Sequence, residues 1–148
     1  MLKLSVEVKE NPKFEEEFVE KMQKILFKSM FKMQELAVRF APVDTGELRQ
    51  KIKVIPKTLS SWYELQSNAK HSADVEFGSR PFYVPLKPLL EWVERKGIRT
   101  TESGQYAFAK YVQKKIKEKG TNAQPFMRPA RDQVINYWID VFTKEEFS

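Results

Sequence analysis

The stretch between Pro12 and Pro42 constrains the fold most, because its apolar residues recur at steps of three and four residues. This spacing puts them on one side of an α-helix of about 28 residues, which ends near Ala41 because a proline disfavours a helical residue before it. The stripe is wide and rich in aromatic and Met side chains, so burial in the core is favoured over the filling of a partner's groove. It comprises Phe14, Phe18, Met22, Ile25, Ser29, Met33, Leu36, Ala37 and Phe40, widened by Leu26, Phe27 and Met30.

Alternation of apolar and polar residues predicts strands on both sides of this helix. Residues 2–8 alternate strictly and are expected to form an edge strand, after which Asn11 caps the helix. Three more strands are expected between Pro42 and Pro85, joined by polar turns into an antiparallel meander. Their apolar positions are Leu48, Ile52 and Val54 in the first strand, Trp62, Tyr63 and Leu65 in the second, and Ala73, Val75 and Phe77 in the third.

Three further helices are predicted after this meander. The first opens at Pro85 and stops at Lys96-Gly97, the second runs from Gln105 to Lys119, and the last starts at Pro129. Residues 1–148 are therefore expected to form one α+β domain, in which a long N-terminal helix and further helices pack on an antiparallel β-sheet. The expected inward positions are Tyr106, Ala109, Val112 and Ile116 in the second helix, and Val134, Ile135, Trp138, Val141 and Phe142 in the last.

The composition excludes most kinds of catalytic site. There is no Cys, and His71 is the single His, so zinc sites built on Cys, thiol nucleophiles and two-His metal sites cannot form within one chain. The five Gly are scattered, so neither a phosphate-binding loop nor a dinucleotide-binding fingerprint is present. Glu7 and Lys9 lack the upstream acidic residue that a metal-dependent nuclease requires. No catalytic, cofactor-binding or metal-binding residue is therefore assigned.

The chain is mildly basic, since 26 Lys and Arg face 20 Asp and Glu and the formal net charge is +6. This balance fits a partner that is either nucleic acid or an acidic protein surface. The outward lysines of the predicted 105–119 helix could neutralise phosphates, which would make the chain a DNA-binding module, although a merely solvated face is favoured. These lysines are Lys110, Lys114, Lys115, Lys117 and Lys119.

The first residues of the chain lack the unbroken apolar run of a signal peptide. No stretch of about 18 apolar residues could span a membrane. A cytoplasm-like compartment is therefore expected.

Three short strings join the predicted elements and are interpreted as structural corners rather than ligand sites. In the first, residues 41–49, a proline stops the helix, a glycine permits positive φ, and Asp44 and Thr45 are expected to bond nearby backbone N–H groups. The second, residues 75–80, ends a predicted strand at a glycine, and the third, residues 124–130, places an apolar pair before the last helix. The corner residues are Pro42, Asp44, Thr45, Gly46, Leu48 and Arg49 in the first string, Glu76 and Gly78 in the second, and Pro125, Phe126, Arg128 and Pro129 in the third.

In their order and spacing these strings resemble a tail-component family of long-tailed double-stranded DNA phages, named for the tenth gene product of a lambdoid siphophage. Its members have a long N-terminal helix, then A-P-V-D-T-G-x-L-R, V-E-F-G-[ST] and Q-P-F-M-R-P-A before a terminal helix. The resemblance runs from about Phe14 to Trp138. It implies a structural, non-enzymatic virion protein of an active phage or a prophage, acting in the neck or in tail completion at the head–tail connector, as a ring around the DNA channel.

The resemblance also implies the partners of the chain. These are its own copies, head-closure proteins and tail-terminator or tail-tube proteins, with DNA in the channel, no cofactor and no membrane, and with assembly in the cytoplasm of the bacterial host. Within such a ring, the acidic start of the long helix could pair with the basic 110–119 helix of the next copy, while apolar groups supply more of the affinity, although two patches that are simply solvated are favoured. The acidic residues are Glu15, Glu16, Glu17 and Glu20, and the apolar ones are Phe82, Tyr83, Phe126 and Met127.

Overall fold

A computed structural model describes residues 12–57, 62–99 and 101–148 of the chain. The strand expected over residues 2–8 and the helix cap expected at Asn11 lie outside the described residues. None of the helices in the described part combines the length and the hydropathy needed to cross a bilayer.

The long helix, α1, spans Pro12–Phe40 and confirms the helix predicted from the apolar spacing. The burial expected along its whole stripe is wrong for its N-terminal half, where Phe14 is 63% exposed and Phe18 and Met22 are also exposed. The reason is length, because 29 residues give a helix of about 43 Å and the other described elements pack mainly on its C-terminal half. There Leu36 and Ala37 enter the core.

The sheet is a two-stranded antiparallel hairpin within the described residues. Strand β1 is Ile52–Lys57 and strand β2 is Trp62–Ser67, in a register that places Val54 opposite Leu65. The first strand was expected to begin at Leu48, but residues Glu47–Gln50 form a short helix, α2. The Gly46 backbone at φ 84° directs the chain into this helical turn, and only afterwards does it extend.

The third predicted strand is wrong, because Ser72–Phe77 form a helix, α3. A strand would put the side chains of Ala73, Val75 and Phe77 on one face. In the structure Ala73 and Phe77 are exposed, whereas Val75 and Glu76 face inward, which is helical spacing. The expected meander is therefore reduced to a hairpin in the described part of the chain.

Two helices predicted after the sheet are confirmed. Helix α4 is Leu86–Arg95, and helix α5 is Glu102–Lys119. Of the inward positions expected in α5, Tyr106 is wrong because it is half-exposed, and Phe108 instead packs against Trp92 with ring centroids 6.4 Å apart. The true apolar face of α5 therefore starts two residues later than the sequence pattern indicated.

The last helical region is interrupted by a π-helical turn. Helix α6 is Met127–Gln133, the π-turn is Val134–Trp138, and helix α7 is Ile139–Phe147. Ile135 is exposed contrary to the prediction while Val134 is buried, because neighbouring residues of a helix point about 100° apart and Ile135 lies beyond the edge of the inward face.

The buried residues form two separate clusters. The first lies between the C-terminal half of α1, α2, the hairpin and α6, and we call these elements with α3 and α7 the body. The second lies between α4 and α5, and we call residues 86–119 the arm. The α+β class with a long N-terminal helix is confirmed, whereas a single domain over residues 1–148 stays a prediction. The buried body residues are Leu36, Ala37, Ala41, Leu48, Ile52, Ala69, Phe126, Ala130 and Val134, and the buried arm residues are Leu89, Val93 and Ala109.

Candidate functional site

The second and third sequence strings meet at the start of α6. The first backbone N–H groups of any helix have no partner within the helix. Here the Glu76 carboxylate supplies one: Oε2 accepts from the N–H groups of Phe126 at 2.7 Å and Met127 at 2.9 Å, and Oε1 accepts from that of Arg128 at 3.0 Å. A residue of α3 therefore caps a helix that begins about 50 residues later in the sequence.

The Arg128 side chain completes this contact from the other direction. Its Nε donates to Glu76 Oε1 at 3.0 Å, its Nη2 donates to the Glu76 backbone oxygen at 3.1 Å, and its guanidinium lies 5.1 Å from the Phe77 ring centroid. Glu76 is only 4% exposed, so a carboxylate without these donors would be costly there. Burial raises the pKa of Glu76, but the backbone N–H groups of α6 and the Arg128 guanidinium lower that pKa by more, so it lies below its ordinary value.

The first string follows the end of α1, and its Arg49 side chain bonds back to that helix. Arg49 Nε donates to the Ala41 carbonyl at 3.0 Å, and Nη2 donates to the Arg39 carbonyl at 3.4 Å. These carbonyls are among the last of α1, which have no intrahelical donor. Thr45 Oγ1 accepts from the Glu47 N–H at 3.4 Å, at the limit of a hydrogen bond.

Asp44 has a different partner from the one expected. Its carboxylate accepts from Arg95 Nη2 at 2.8 Å and from Arg95 Nε at 3.4 Å, instead of bonding backbone N–H groups of its own corner. The hydrogen bond from Arg95 lowers the pKa of Asp44 below its usual value. Next to this ion pair, the Lys96 ammonium donates to the Val43 carbonyl. The first string is thus attached to the C-terminal end of α4 in the arm.

Two chain segments cross where the arm leaves and re-enters the body. Ser79 N–H donates to the Thr121 carbonyl at 3.1 Å, and the two hydroxyls are 3.0 Å apart. Gly78 and Gly120 have φ of 77° and 74°, and a Cβ at either position would meet backbone atoms of the other segment. The crossing therefore requires glycine for its backbone conformation and for its close approach.

An open cleft of about 690 Å³ lies between this crossing, α3 and the first string. Its lining includes Asp44, His71, Asp74, Lys96 and the exposed Phe82. In residues 12–57, 62–99 and 101–148, no group of three or more His, Asp or Glu side chains could hold a metal ion. The corner residues Pro42, Asp44, Thr45, Gly46 and Leu48 line the cleft, whereas Glu76, Gly78, Pro125, Phe126, Arg128 and Pro129 are absent from its lining.

The lysines predicted as a nucleic-acid surface lie on the arm, outside this cleft. Lys110, Lys114, Lys115 and Lys117 are all exposed on α5. Among the described residues their ion pair is that of Lys114 Nζ with Glu118 Oε1, at 3.9 Å. Exposed aromatic rings accompany them: Lys110 lies 5.7 Å from the ring of Tyr106, and Lys115 lies 5.5 Å from that of Tyr111.

Two contributors to the corner network were missed by sequence reasoning. Arg95 looks like an ordinary basic residue near a helix C-terminus, and the Ser79–Thr121 contact joins residues 42 positions apart. A signal for the second existed in the glycines that flank these two residues, Gly78 and Gly120. Phe126, expected to offer apolar surface to a neighbour, is instead 1% exposed in the body core, while Phe82 and Tyr83 are exposed as expected.

Comparison with known families gives a match to part of the chain. Residues 9–78 match the family model HK97-gp10_like, described as "Bacteriophage HK97-gp10, putative tail-component". Comparison with curated proteins and with solved structures gives no match. The matched stretch contains α1, the first string, the hairpin and α3, and it ends at Gly78, before the arm begins at Leu86. Over residues 9–78 the chain is therefore similar to the HK97-gp10-like family, which is described as a tail component of bacteriophages.

Proposed function

We propose that this chain is a structural protein of the neck of a tailed phage or prophage virion, joining head to tail as a ring of copies around the DNA channel. Its partners in this role are its own copies, head-closure proteins and tail-terminator or tail-tube proteins. The proposal includes assembly in the host cytoplasm and no enzymatic activity.

The observation that carries the proposal is that polar side chains in the three strings are bonded to other elements of the same chain. Glu76 accepts hydrogen bonds from the start of α6 and from the Arg128 side chain. Arg49 donates to the end of α1, and Asp44 pairs with Arg95. Residues with fully engaged side chains hold elements in place and have little capacity left to act on a substrate. Fixed corners and the family match to a tail component together support an assembly role.

Deletion of the gene from the encoding phage or prophage tests this function. We expect filled heads and separate tails in electron micrographs, together with a large fall in plaque-forming units, because the two parts cannot join. Complementation with the unmodified gene is expected to restore joined particles, and immunogold label is expected at the head–tail junction. Normal joined virions from the deletion strain would contradict the proposal.

A DNA-binding module is the second candidate, and one observation favours it. The α5 lysines have few intramolecular partners among the described residues and alternate with the exposed Tyr106 and Tyr111 rings, a combination suited to phosphates and bases. If this role is correct, the affinity for duplex DNA falls steeply as the salt concentration rises. The triple variant Lys110→Gln, Lys114→Gln and Lys117→Gln then shows a weaker dependence of the affinity on salt. The control variant has Lys13→Gln, Lys53→Gln and Lys70→Gln, at exposed lysines outside α5, and has the same net charge as the α5 variant.

A further inference from the structure

The N-terminal half of α1 carries an apolar face that the rest of the described chain leaves open. We call it the α1 stripe, and its exposed members are Phe14, Phe18, Val19, Met22 and Leu26. Phe14 and Phe18 stack with ring centroids 6.2 Å apart, and the Phe147 ring lies tilted next to Phe18, with centroids 5.8 Å apart. A contiguous exposed patch of this kind is characteristic of an interaction site rather than of a solvated helix.

The stripe continues the same side of α1 that is buried further along the helix. Ile25 is buried next to it, and Leu36 and Ala37 enter the body core. Helical spacing puts Phe14, Phe18, Ile25 and Leu36 on one side. One continuous face is thus covered by the body in its second half and open in its first, as a face completed by a partner would be.

The charges around the stripe specify the chemistry of that partner. Glu15, Glu16 and Glu17 are exposed beside it, and Glu20 is paired with Lys24 at 2.7 Å within α1. A surface that covers the stripe must therefore be basic and must also offer apolar contact area, since buried like charges would repel it.

The outer face of α5 has both properties. At helical spacing Tyr106, Lys110, Lys114 and Lys117 lie on one side of it, with the small exposed Ala107 adjacent. Tyr106 is half-exposed and presents apolar ring area, while the lysines present positive charge.

We propose that the α1 stripe of one copy docks on the outer face of α5 in a second copy. In the proposed ring this contact is heterologous and repeats from copy to copy, since both surfaces are exposed on every chain. The aromatic and Met side chains supply most of the affinity, whereas the charges set the register and the rate of association. This inference rests on the proposed ring and assigns its subunit contact.

Disulfide trapping tests the contact without background from native cysteines, because the chain has no Cys. A Val19→Cys chain and a differently tagged Ala107→Cys chain are mixed at millimolar concentration and oxidised. We expect a disulfide-linked heterodimer at a yield about tenfold or more above the control mixture. The control pairs Val19→Cys with Ile135→Cys, which is exposed on the π-turn at a distance from α5 in sequence and fold.

Charge reversal then tests the register. The substitutions Lys110→Glu, Lys114→Glu and Lys117→Glu in the Ala107→Cys chain are expected to reduce the heterodimer to the control yield. The opposite substitutions Glu15→Lys, Glu16→Lys and Glu17→Lys in the Val19→Cys chain are then expected to restore the yield. Circular dichroism and thermal unfolding check that each variant folds. The proposed contact is overturned if the mixture of Val19→Cys and Ala107→Cys gives only the control yield, or if reversal of Glu15, Glu16 and Glu17 does not restore the yield. The α1 stripe would then bind a different partner.

The outcome is separable from the test of function. Immunogold label at the head–tail junction with no trapped heterodimer leaves the neck role intact and overturns the α1–α5 contact. A trapped and charge-dependent heterodimer supports the contact even if the deletion strain still joins heads to tails.

Discussion

The body and the arm are stabilised in different ways. The body has buried residues from α1, α2, β1 and the last helical region, whereas the arm core has three buried residues, all from α4 and α5. The body is also closed by the buried Glu76 carboxylate, while the arm is attached by the exposed Asp44–Arg95 pair and by the Ser79–Thr121 crossing. We infer that the body sets the global stability and that the arm opens at lower cost.

The contrast also concerns surface. The arm presents the basic outer face of α5, whereas the helix that continues out of the body presents the apolar α1 stripe with acidic residues beside it. A small and separately packed element can adjust its position on a neighbour without disturbing the larger core. The difference between the two regions therefore matters for assembly as well as for stability.

The largest loss of stability is expected from a substitution at the Ser79–Thr121 crossing, which joins the body and the arm. Gly120→Ala places a Cβ against the Ser79 carbonyl oxygen and 2.8 Å from the Arg80 carbonyl carbon, at a φ of 74°. Both the clash and the strain involve backbone, so we expect a loss of about 4 kcal/mol in the free energy of unfolding, measured in urea. Gly97→Ala is the control, with φ 61° and no atom near its Cβ, and it should cost about 1 kcal/mol. Equal effects at the two glycines would contradict the tight crossing.

Removal of the carboxylate that closes the body should have the next largest effect. Glu76→Ala leaves the first N–H groups of α6 without an acceptor, including the buried one of Phe126, and it also frees the Arg128 guanidinium. We expect a loss of about 3 kcal/mol in the free energy of unfolding. Glu91→Ala, at an exposed position of α4, is the matched control and should change stability little. A variant at position 76 as stable as that control would remove the basis for a body held by a buried cap.

The same carboxylate predicts a pH dependence. The pKa of Glu76 is lower in the folded chain than in the unfolded chain, so its stabilisation is present above the unfolded value and is lost as pH falls through the folded value. The difference in melting temperature between the native chain and Glu76→Gln should therefore be largest at neutral pH and should shrink below about pH 4. A difference that stays constant from neutral to acidic pH would show that the charge of Glu76 is not what stabilises α6.

One substitution made in both cores sharpens the comparison. Val93 in the arm and Val134 in the body are both fully or almost fully buried, and truncation to Ala should cost about 2 kcal/mol at either site. We expect Val134→Ala to speed amide hydrogen exchange throughout the body, because it lowers global stability. Val93→Ala should speed exchange in α4 and α5 while body amides keep their protection. Faster exchange over both regions in the arm variant would mean that they unfold as one unit.

The smallest effect is expected at the ion pair between the regions. Asp44→Asn removes the charge that faces Arg95, but both side chains are substantially exposed and water screens their attraction. We expect a slight fall in melting temperature at low salt that disappears at high salt. Glu94→Gln, an exposed α4 residue, controls for the change in net charge. A large loss that persists at high salt would mean that the arm depends on this pair for its position.

Sequence patterns predicted the long elements well because their periodicity is repeated many times. Helices α1, α4 and α5 each contain several turns with a consistent apolar side. In contrast, Ser72–Phe77 is so short that alternating and helical spacing both fit it, and the burial of Glu76 depends on α6 about 50 residues away. A local pattern contains no information about such a distant partner.

The positions of the corners were predictable, and most of their partners were not. The prolines and glycines of these strings marked places where the chain turns, and Gly46 and Gly78 do have positive φ. The α1 stripe illustrates the complementary limit: its amphipathic spacing identifies an apolar side, but not whether anything covers that side. The exposure of Ile135 has a third cause, because an apolar residue at the edge of a helix face can be assigned to the core or to the surface by the same spacing.

The crossing of Ser79 with Thr121 makes the arm an insertion in the architectural sense. Because the outgoing and returning segments are pinned side by side, the body chain is closed at this point whatever length of polypeptide lies between them. Elements inserted at such a point can be exchanged or resized with little effect on the host fold. A change in the length of the arm is therefore expected to leave the geometry of residues 62–78 and 121–148 largely unaltered, because the crossing fixes both ends of the inserted segment.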